Sequence, residues 1–324
     1  MNHRNVLVTG GAGYIGSHTC KELAKNNFVP IVFDNLSTGH SDFVKWGPLF
    51  VGDLKNKKDI KDVFDQYRPK SVIHFAAKAS VAESVHNPIK YFEENIYGTS
   101  NLLEQFVEQE GTAFIFSSSC SVYGDLSSDV ISENSPLNPI NPYGFSKLST
   151  ETLIKYLKEK FNFNYSILRY FNAAGADPDL QIGEQHYNES HVIPILVEAY
   201  LKDFVFPIYG NDYATQDGTA IRDFIHVVDL ARAHVLALNY NLLERRDITC
   251  NLGTGIGVSV LELVNEIRKI NSKFDFTIKQ RRAGDPAKLV ADVKIAREIL
   301  KFEPIQSGLS NIILSALNWH RIRS

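Results

Sequence analysis

Cysteine is scarce in this chain, and basic blocks and long apolar runs are missing. Cys20, Cys120 and Cys250 are the only thiols among 324 residues. They are widely spaced and odd in number, and no C-x-x-C pair occurs, so neither a disulfide framework nor a cysteine-based zinc site is indicated. A reducing compartment is the natural setting for such usage. No apolar run reaches membrane-spanning length. The start, Met1-Asn2-His3-Arg4, leads straight into Val6-Leu7-Val8 without the apolar core and cleavage site of a signal peptide. A soluble cytoplasmic protein with no membrane partner is expected. The formal net charge is -3 with no cluster of lysine and arginine, so nucleic acid is not an expected partner. His18, His74, His226 and His234 lie at borders of expected elements without metal-ligand spacing, and no metal is expected. What remains is 44% hydrophobic and 22% charged, an ordinary globular composition with length for one large or two medium domains.

The first half alternates short apolar runs with amphipathic stretches. Strands are expected at 5–9, 29–33, 49–51, 71–75, 113–117 and 165–170, and helices at 15–26, 57–67, 88–109 and 143–161. Strands rich in Val, Ile and Phe between helices imply a parallel sheet covered on both faces, an α/β fold. The second half is less regular, and 172–223 is rich in Pro, Gly, Asn and Asp. Beyond it, a strand at 224–227 leads into a helix from 228. A strand–Gly–helix unit spans 250–270, and a last helix covers 309–320.

Three stretches carry chemistry. The first is Thr9-Gly10-Gly11-Ala12-Gly13-Tyr14-Ile15-Gly16, set between a strand and a helix start. Gly11, Gly13 and Gly16 satisfy G-x-G-x-x-G, in which glycine lets the backbone turn tightly beneath a pyrophosphate held on helix N–H groups. As a bare pattern it also fits a surface turn. The next strand, however, ends in Asp34, an acid suited to the ribose hydroxyls of a dinucleotide. An acid repels a 2′-phosphate, and Asn35-Leu36-Ser37 offers no arginine to hold one, so NAD is favoured over NADP. The second stretch, Ser117-Ser118-Ser119-Cys120-Ser121-Val122-Tyr123-Gly124, follows a strand and reaches the carboxyl edge of the sheet, where open α/β sheets bind ligands. The third is Asn141-Pro142-Tyr143-Gly144-Phe145-Ser146-Lys147, with Pro142 suited to a helix start. Tyr143 and Lys147 then share one helix face. A lysine beside a phenol favours the phenolate, which prepares the tyrosine to take a proton from a sugar hydroxyl. Alone, the pair also fits an exposed face with a snorkelling lysine.

Together these stretches resemble the extended short-chain dehydrogenase/reductase family. A narrower likeness, to UDP-glucose 4-epimerases, lies in the long irregular run from Tyr209-Gly210-Asn211-Asp212-Tyr213 to Ile221-Arg222-Asp223-Phe224-Ile225-His226-Val227. Arg169-Tyr170-Phe171-Asn172, Asn251-Leu252-Gly253 and Arg281-Arg282-Ala283-Gly284-Asp285-Pro286 extend it over almost the whole chain. The resemblance implies a Rossmann-type doubly wound parallel sheet with a smaller C-terminal α/β substrate domain. Residues 1–172 would bind NAD, with 224–248 returning to that domain, while 173–223 and 249–324 would mainly bind a UDP-sugar. It implies reversible interconversion of UDP-galactose and UDP-glucose, through transient oxidation at C4 and rotation of the 4-keto sugar. Tyr143 matches the base, Lys147 its pKa-lowering partner and Ser119 the serine on the reacting oxygen. NAD would lie along Gly10, Gly13, Tyr14, Ile15, Gly16, Asp34, Asn35, Asp53, Leu54, Phe75, Ala76, Ala77, Asn95, Tyr143, Lys147 and Tyr170. The UDP-hexose would meet Ser119, Tyr143, Asn172, His191, Tyr209, Arg222, Arg282 and Asp285. Two arginines suit a diphosphate because guanidinium forks offer paired, always-charged donors. The family also implies a homodimer through the helices at 88–109 and 143–161. Departures stand out. Ala79 sits where some members carry a lysine, and Lys78 lies one residue earlier. His191 stands where a substrate asparagine is common. Leu289 is bulky where a small residue accompanies N-acetylhexosamine use. A 4-epimerase of UDP-N-acetylhexosamines or UDP-pentoses shares every catalytic residue. A nucleotide-sugar 4,6-dehydratase would carry Thr-Asp-Glu in place of Ser119-Cys120-Ser121.

Overall fold

The computed structural model describes residues 4–126, 130–186, 189–282 and 285–323. Seven strands form one parallel sheet. Their order is Ile248–Leu252, Asn164–Tyr170, Ala113–Ser119, Ser71–His74, Asn5–Thr9, Val29–Asp34 and Leu49–Val51. Buried runs such as Val6-Leu7-Val8 and Ala113–Ser119 explain why: strands apolar on both faces need cover on both. On one face Val6, Val8, Val32, Ile73, Ile115 and Leu168 share a core with Leu23 and Leu230 of the helices Tyr14–Lys25 and Val227–Leu243. On the other, Leu7, Phe33, Val72, Phe114 and Ile167 pack with Val63, Leu102 and Ile154 of Lys57–Tyr67, Gly98–Glu108 and Pro142–Lys158. Strand order reverses between Asn5–Thr9 and Ser71–His74, so the switch point opens at the carboxyl end of Asn5–Thr9.

The expected helix at 88–109 is interrupted. Pro88–Tyr91 and Gly98–Glu108 are α-helical, but Phe92–Tyr97 forms a π-helical turn. The turn carries the buried Asn95, whose amide is fully engaged with neighbouring chain segments.

The second half has its own core. Val192–Lys202, Val260–Arg268 and Leu309–Arg321 pack around Leu196, Val197, Leu263, Val264, Ile312 and Ile313. Phe206–Tyr209 pairs with Phe276–Lys279, and Ile221–Arg222 lies between Val258–Ser259 and Lys288–Leu289. The boundary expected at 248 needs correction. Ile248–Leu252 is an edge strand of the large sheet, and Ala296, Leu300 and Phe302 also return to its core. The strand Phe224–His226 pairs with Asn172–Ala174 and stays outside the large sheet. Among the described residues, no helix is long and apolar enough to cross a membrane.

Candidate functional site

The glycine turn sits at the switch point. Phe75 and Ala76 both donate backbone N–H groups to Thr9 O, at 3.0 and 3.1 Å, drawing 75–77 alongside Gly10. Gly10 has φ +69, and a Cβ there would lie 2.7 Å from Ala76 N. A Cβ on Gly16 would lie 2.2 Å from Gly10 O. Both glycines are therefore required by close approach. The helix Tyr14–Lys25 begins at Gly13 with no side-chain cap and no acid in its first turn, so its leading N–H groups face an open, electropositive end. Asp34 closes the turn: its carboxylate accepts from Ala12 N at 3.0 Å and Leu36 N at 2.9 Å. Burial raises its pKa, only partly offset by those bonds. Two of a carboxylate's lone-pair sites remain for a ligand.

Asn35 and Asp53 line the same rim, joined by an Asn35 Nδ2 to Asp53 Oδ2 bond of 3.0 Å. Burial pushes Asp53 up, but bonds from Lys55 N–H and Asn35 outweigh it and leave its pKa low. Lys78 crosses this rim, with Nζ 3.3 Å from Ser37 Oγ. Leu54 is buried, its carbonyl held by Asn101. Tyr14 lends the turn its ring only, since its hydroxyl donates to Gly175 O at 2.5 Å, and Ile15 packs against the core. Asn95 turns inward: its amide accepts from Lys78 N at 2.8 Å and donates to Lys78 O and Ser146 Oγ, both at 3.0 Å. Its side chain is thus committed to the fold. Ala77 continues the segment that flanks Gly10.

The second and third stretches converge at the carboxyl ends of Ala113–Ser119 and Asn164–Tyr170. Asn141 caps the helix Pro142–Lys158 by accepting from Gly144 N at 2.8 Å, which places Tyr143 and Lys147 in its first turns. Ser119 lies beside the Tyr143 phenol, and its Oγ donates to Ser121 Oγ at 3.2 Å and accepts from Ser121 N at 3.1 Å. Lys147 Nζ donates to Ser117 O at 2.8 Å and lies 5.8 Å from the Tyr143 ring centroid. Tyr170 bonds Ser117 Oγ and contributes to the same recess.

Here one expectation is corrected. The Tyr143 phenol is not acidified. Burial, then Tyr170, push its pKa well above the ordinary phenol value, and the nearby Ser119 hydroxyl recovers only part. Burial likewise presses Lys147 down to about 7, with Glu151 opposing. Lys147 is aimed at a carbonyl and not at the phenolic oxygen, and both groups sit in low dielectric. Glu151 was unread in the sequence although it lies one turn beyond Lys147. It takes both Arg169 Nε (2.9 Å) and Nη2 (2.5 Å) and accepts from Ser118 Oγ at 2.6 Å, so it fixes the strand ends under the site.

On the facing side, register places Leu289 beside Arg222 and Asn172 beside Phe224. Arg222 pairs with Asp285, 63 residues away, and also donates to Ile221 O at 2.7 Å. Asp223 is no partner of Arg222. It collects Thr254 N (2.8 Å), Gly255 N (3.0 Å) and Ala291 N (3.2 Å) and is structural. Arg282 stacks its guanidinium 4.1 Å from the Tyr209 ring centroid. Ala283 and Gly284 lie outside the described residues. His191 precedes Val192–Lys202, its Nδ1 2.6 Å from Glu184 Oε1.

The description "NAD dependent epimerase/dehydratase family" matches residues 6–253. The chain is 44% identical over 326 residues to a UDP-glucose 4-epimerase of Rhizobium meliloti (strain 1021), covering 100% of this chain and 99% of the relative. A UDP-glucose 4-epimerase from Brucella ovis in complex with NAD superposes with TM-score 0.94 at 45% identity, covering 97% of this chain and 98% of that one. One from Stenotrophomonas maltophila with bound NAD and formylated UDP-arabinopyranose gives TM-score 0.95 at 35% identity, covering 99% of both chains. The strand order, the glycine turn and the Tyr143–Lys147 helix are thus those of a member of the NAD dependent epimerase/dehydratase family, to which this chain belongs.

Proposed function

We propose that the chain interconverts UDP-galactose and UDP-glucose by inverting C4 of the hexose, with NAD as a cofactor regenerated in each cycle. The observation that carries this reading is the meeting of the Ser119–Tyr143 pair with the glycine turn at one edge of one sheet. The residues present fit a dinucleotide: uncapped N–H groups beyond Gly13 suit a pyrophosphate, and Asp34 has acceptor capacity left for ribose hydroxyls. When bound in its oxidised form, NAD would supply a hydride acceptor for C4 and a positive ring charge. Tyr143, as the phenolate that this ring charge would favour, would take the proton of the C4 hydroxyl and later return it, while Ser119 holds that oxygen. Lys147, 5.8 Å from the Tyr143 ring centroid, adds positive charge beside the phenol, and the buried surroundings keep water from the exchange. Arg222 and Arg282 grip the diphosphate, Asp285 and Tyr209 hold the nucleoside, and Asn172 and His191 flank the sugar side. For Arg222 to do this it must exchange Asp285 for phosphate oxygens. Firm hold on UDP with loose hold on the hexose lets the 4-keto sugar turn and offer its other face to Tyr143.

The larger sheet would carry the cofactor and the second core the UDP-sugar. A homodimer is supported by exposed apolar residues on one side: Ile89, Phe92 and Tyr97 on the interrupted helix, and Phe145 and Tyr156 on Pro142–Lys158. Phe92 and Phe145 touch, with centroids 5.7 Å apart. Buried thiols suit a cytoplasmic setting. The test incubates purified chain, without added NAD, with UDP-galactose, UDP-N-acetylgalactosamine and UDP-arabinose in separate arms, products being resolved chromatographically. UDP-glucose is expected from the first arm, at a rate well above the others. Its absence overturns the reading, and comparable conversion of UDP-N-acetylgalactosamine overturns the specificity drawn from Leu289.

A further inference from the structure

Beside the sugar side of the proposed site, four side chains converge on one point. Glu184, His186, Glu189 and His191 fall within eight residues, and one donor atom from each lies within 4.8 Å of all the others. Both imidazoles present the same atom, Nδ1, to both carboxylates. His191 Nδ1 is 2.6 Å from Glu184 and 3.5 Å from Glu189, and His186 Nδ1 is 3.1 Å from Glu189 and 3.6 Å from Glu184. Each Nδ1 hydrogen-bonds a different carboxylate, His191 to Glu184 and His186 to Glu189, and the longer cross pairs bring all four donors to one point. A central cation can serve all four donors: metal–donor distances of about 2.0–2.2 Å in a tetrahedron put donors roughly 3.4 Å apart. Three of the four nitrogen–oxygen distances lie near that value, the fourth needs to open by less than an ångström, and the two remaining donor pairs lie within 4.8 Å.

Glu184 is the buried member of the set, 3% exposed, and among the described residues its carboxylate meets only the two imidazoles. A buried carboxylate needs a charged partner or a metal. The surroundings are built to hold the donors still. Trp319 Nε1 donates to Glu184 O at 3.0 Å, and Glu189 Oε1 accepts from Ser190 N at 2.7 Å and His191 N at 2.8 Å. Arg323 holds the Gln185 side chain. Such outer contacts orient metal ligands.

We propose that Glu184, His186, Glu189 and His191 bind one divalent transition-metal ion of the zinc class, in a closed two-nitrogen, two-oxygen site. Imidazole pairs select zinc-like ions over magnesium. The ion pins the segment before Val192–Lys202 to Trp319 of the last helix. It leaves His191 Nε2 directed by the metal bond on Nδ1. The site does not depend on the reaction proposed above.

The test uses the full-length chain without a histidine tag, stripped with chelator and titrated with zinc chloride against a chromophoric competitor. One equivalent per chain is expected, with a rise in melting temperature. X-ray absorption at the zinc edge should show only nitrogen and oxygen donors. Glu184 is buried and Glu184→Gln risks misfolding, so the variants are His186→Ala and Glu189→Gln. Each should weaken zinc binding by more than the ~10–100-fold typical of losing an outer-shell partner. Far-UV circular dichroism checks their fold. No stoichiometric binding, affinity unchanged in both variants, or magnesium competing on equal terms each overturns the proposal.

Discussion

Tyr143 and Lys147 illustrate how burial rewrites the chemistry of a residue pair. Replacing Tyr143 by Phe keeps the ring contact with Tyr91, whose centroid lies 6.4 Å away, and removes only the acid–base oxygen. Turnover of UDP-galactose should fall by about 10²–10⁴-fold, the usual share of a positioned acid–base group, with KM little changed. Near-normal turnover would sink the assignment. Lys147 permits a thermodynamic test. Its folded pKa is about 7, below the unfolded lysine value. The unfolded chain therefore binds more protons between those two values, and stability rises with pH across that window. In Lys147→Met this dependence is gone. The stability difference between variant and wild type, both without ligand, should grow as pH falls from about 10 to 7, by up to roughly 1.4 kcal/mol per unit, and level off below. A pH-independent difference in urea melts contradicts this. The spacing of the pair was legible because i and i+4 share a face in any helix. The direction of the pKa shifts was not, because it comes from burial of both groups and, for Tyr143, from Tyr170, brought in by tertiary packing.

At the scale of elements, local patterns revealed what local forces decide. Strands at 5–9 and 49–51 and the helix at 57–67 have the expected bounds because apolar period and flanking turns are contiguous in sequence. The region 172–223 was opaque for the opposite reason. Asn172–Ala174 pairs with Phe224–His226, and Phe206–Tyr209 with Phe276–Lys279, about seventy residues on. The π-helical turn Phe92–Tyr97 was hidden too, since its cause is Asn95 reaching Lys78 and Ser146. Ser146 in turn donates to Tyr143 O at 2.7 Å, so the turn supports the reactive helix. Asn95→Leu strips partners from the backbone of Lys78 and from Ser146. The expected loss is about 1–3 kcal/mol per unsatisfied buried group, read from urea denaturation. An unchanged midpoint removes the supporting role.

At the scale of the whole molecule, two cores meet along the carboxyl edge of the large sheet, and the chain crosses between them more than once. Asn172–Ala174 leaves the first body, Ile248–Leu252 re-enters it, and Phe302 returns to it again. These crossings, not readable from composition, tie Arg222 and Leu289 to the side facing Tyr143. What one chain leaves uncovered is the apolar side formed by Ile89, Phe92, Phe145 and Tyr156, beside a groove lined by Pro139, Ile140 and Pro142. Phe145 and Tyr156 are eleven residues apart, three helical turns, and so share one face. Exposed apolar groups collected in this way mark an association surface. Light scattering on the eluting peak should give about twice the 36.4 kDa chain mass. Ile89→Glu with Tyr156→Glu places charge at two positions that are 72% and 64% exposed, so the single chain should tolerate it. The pair should shift the peak to the mass of one chain with an unchanged circular dichroism spectrum. A double variant that stays at twice the mass would place the interface elsewhere, because two desolvated glutamates per chain cannot be accommodated in an apolar contact without partners.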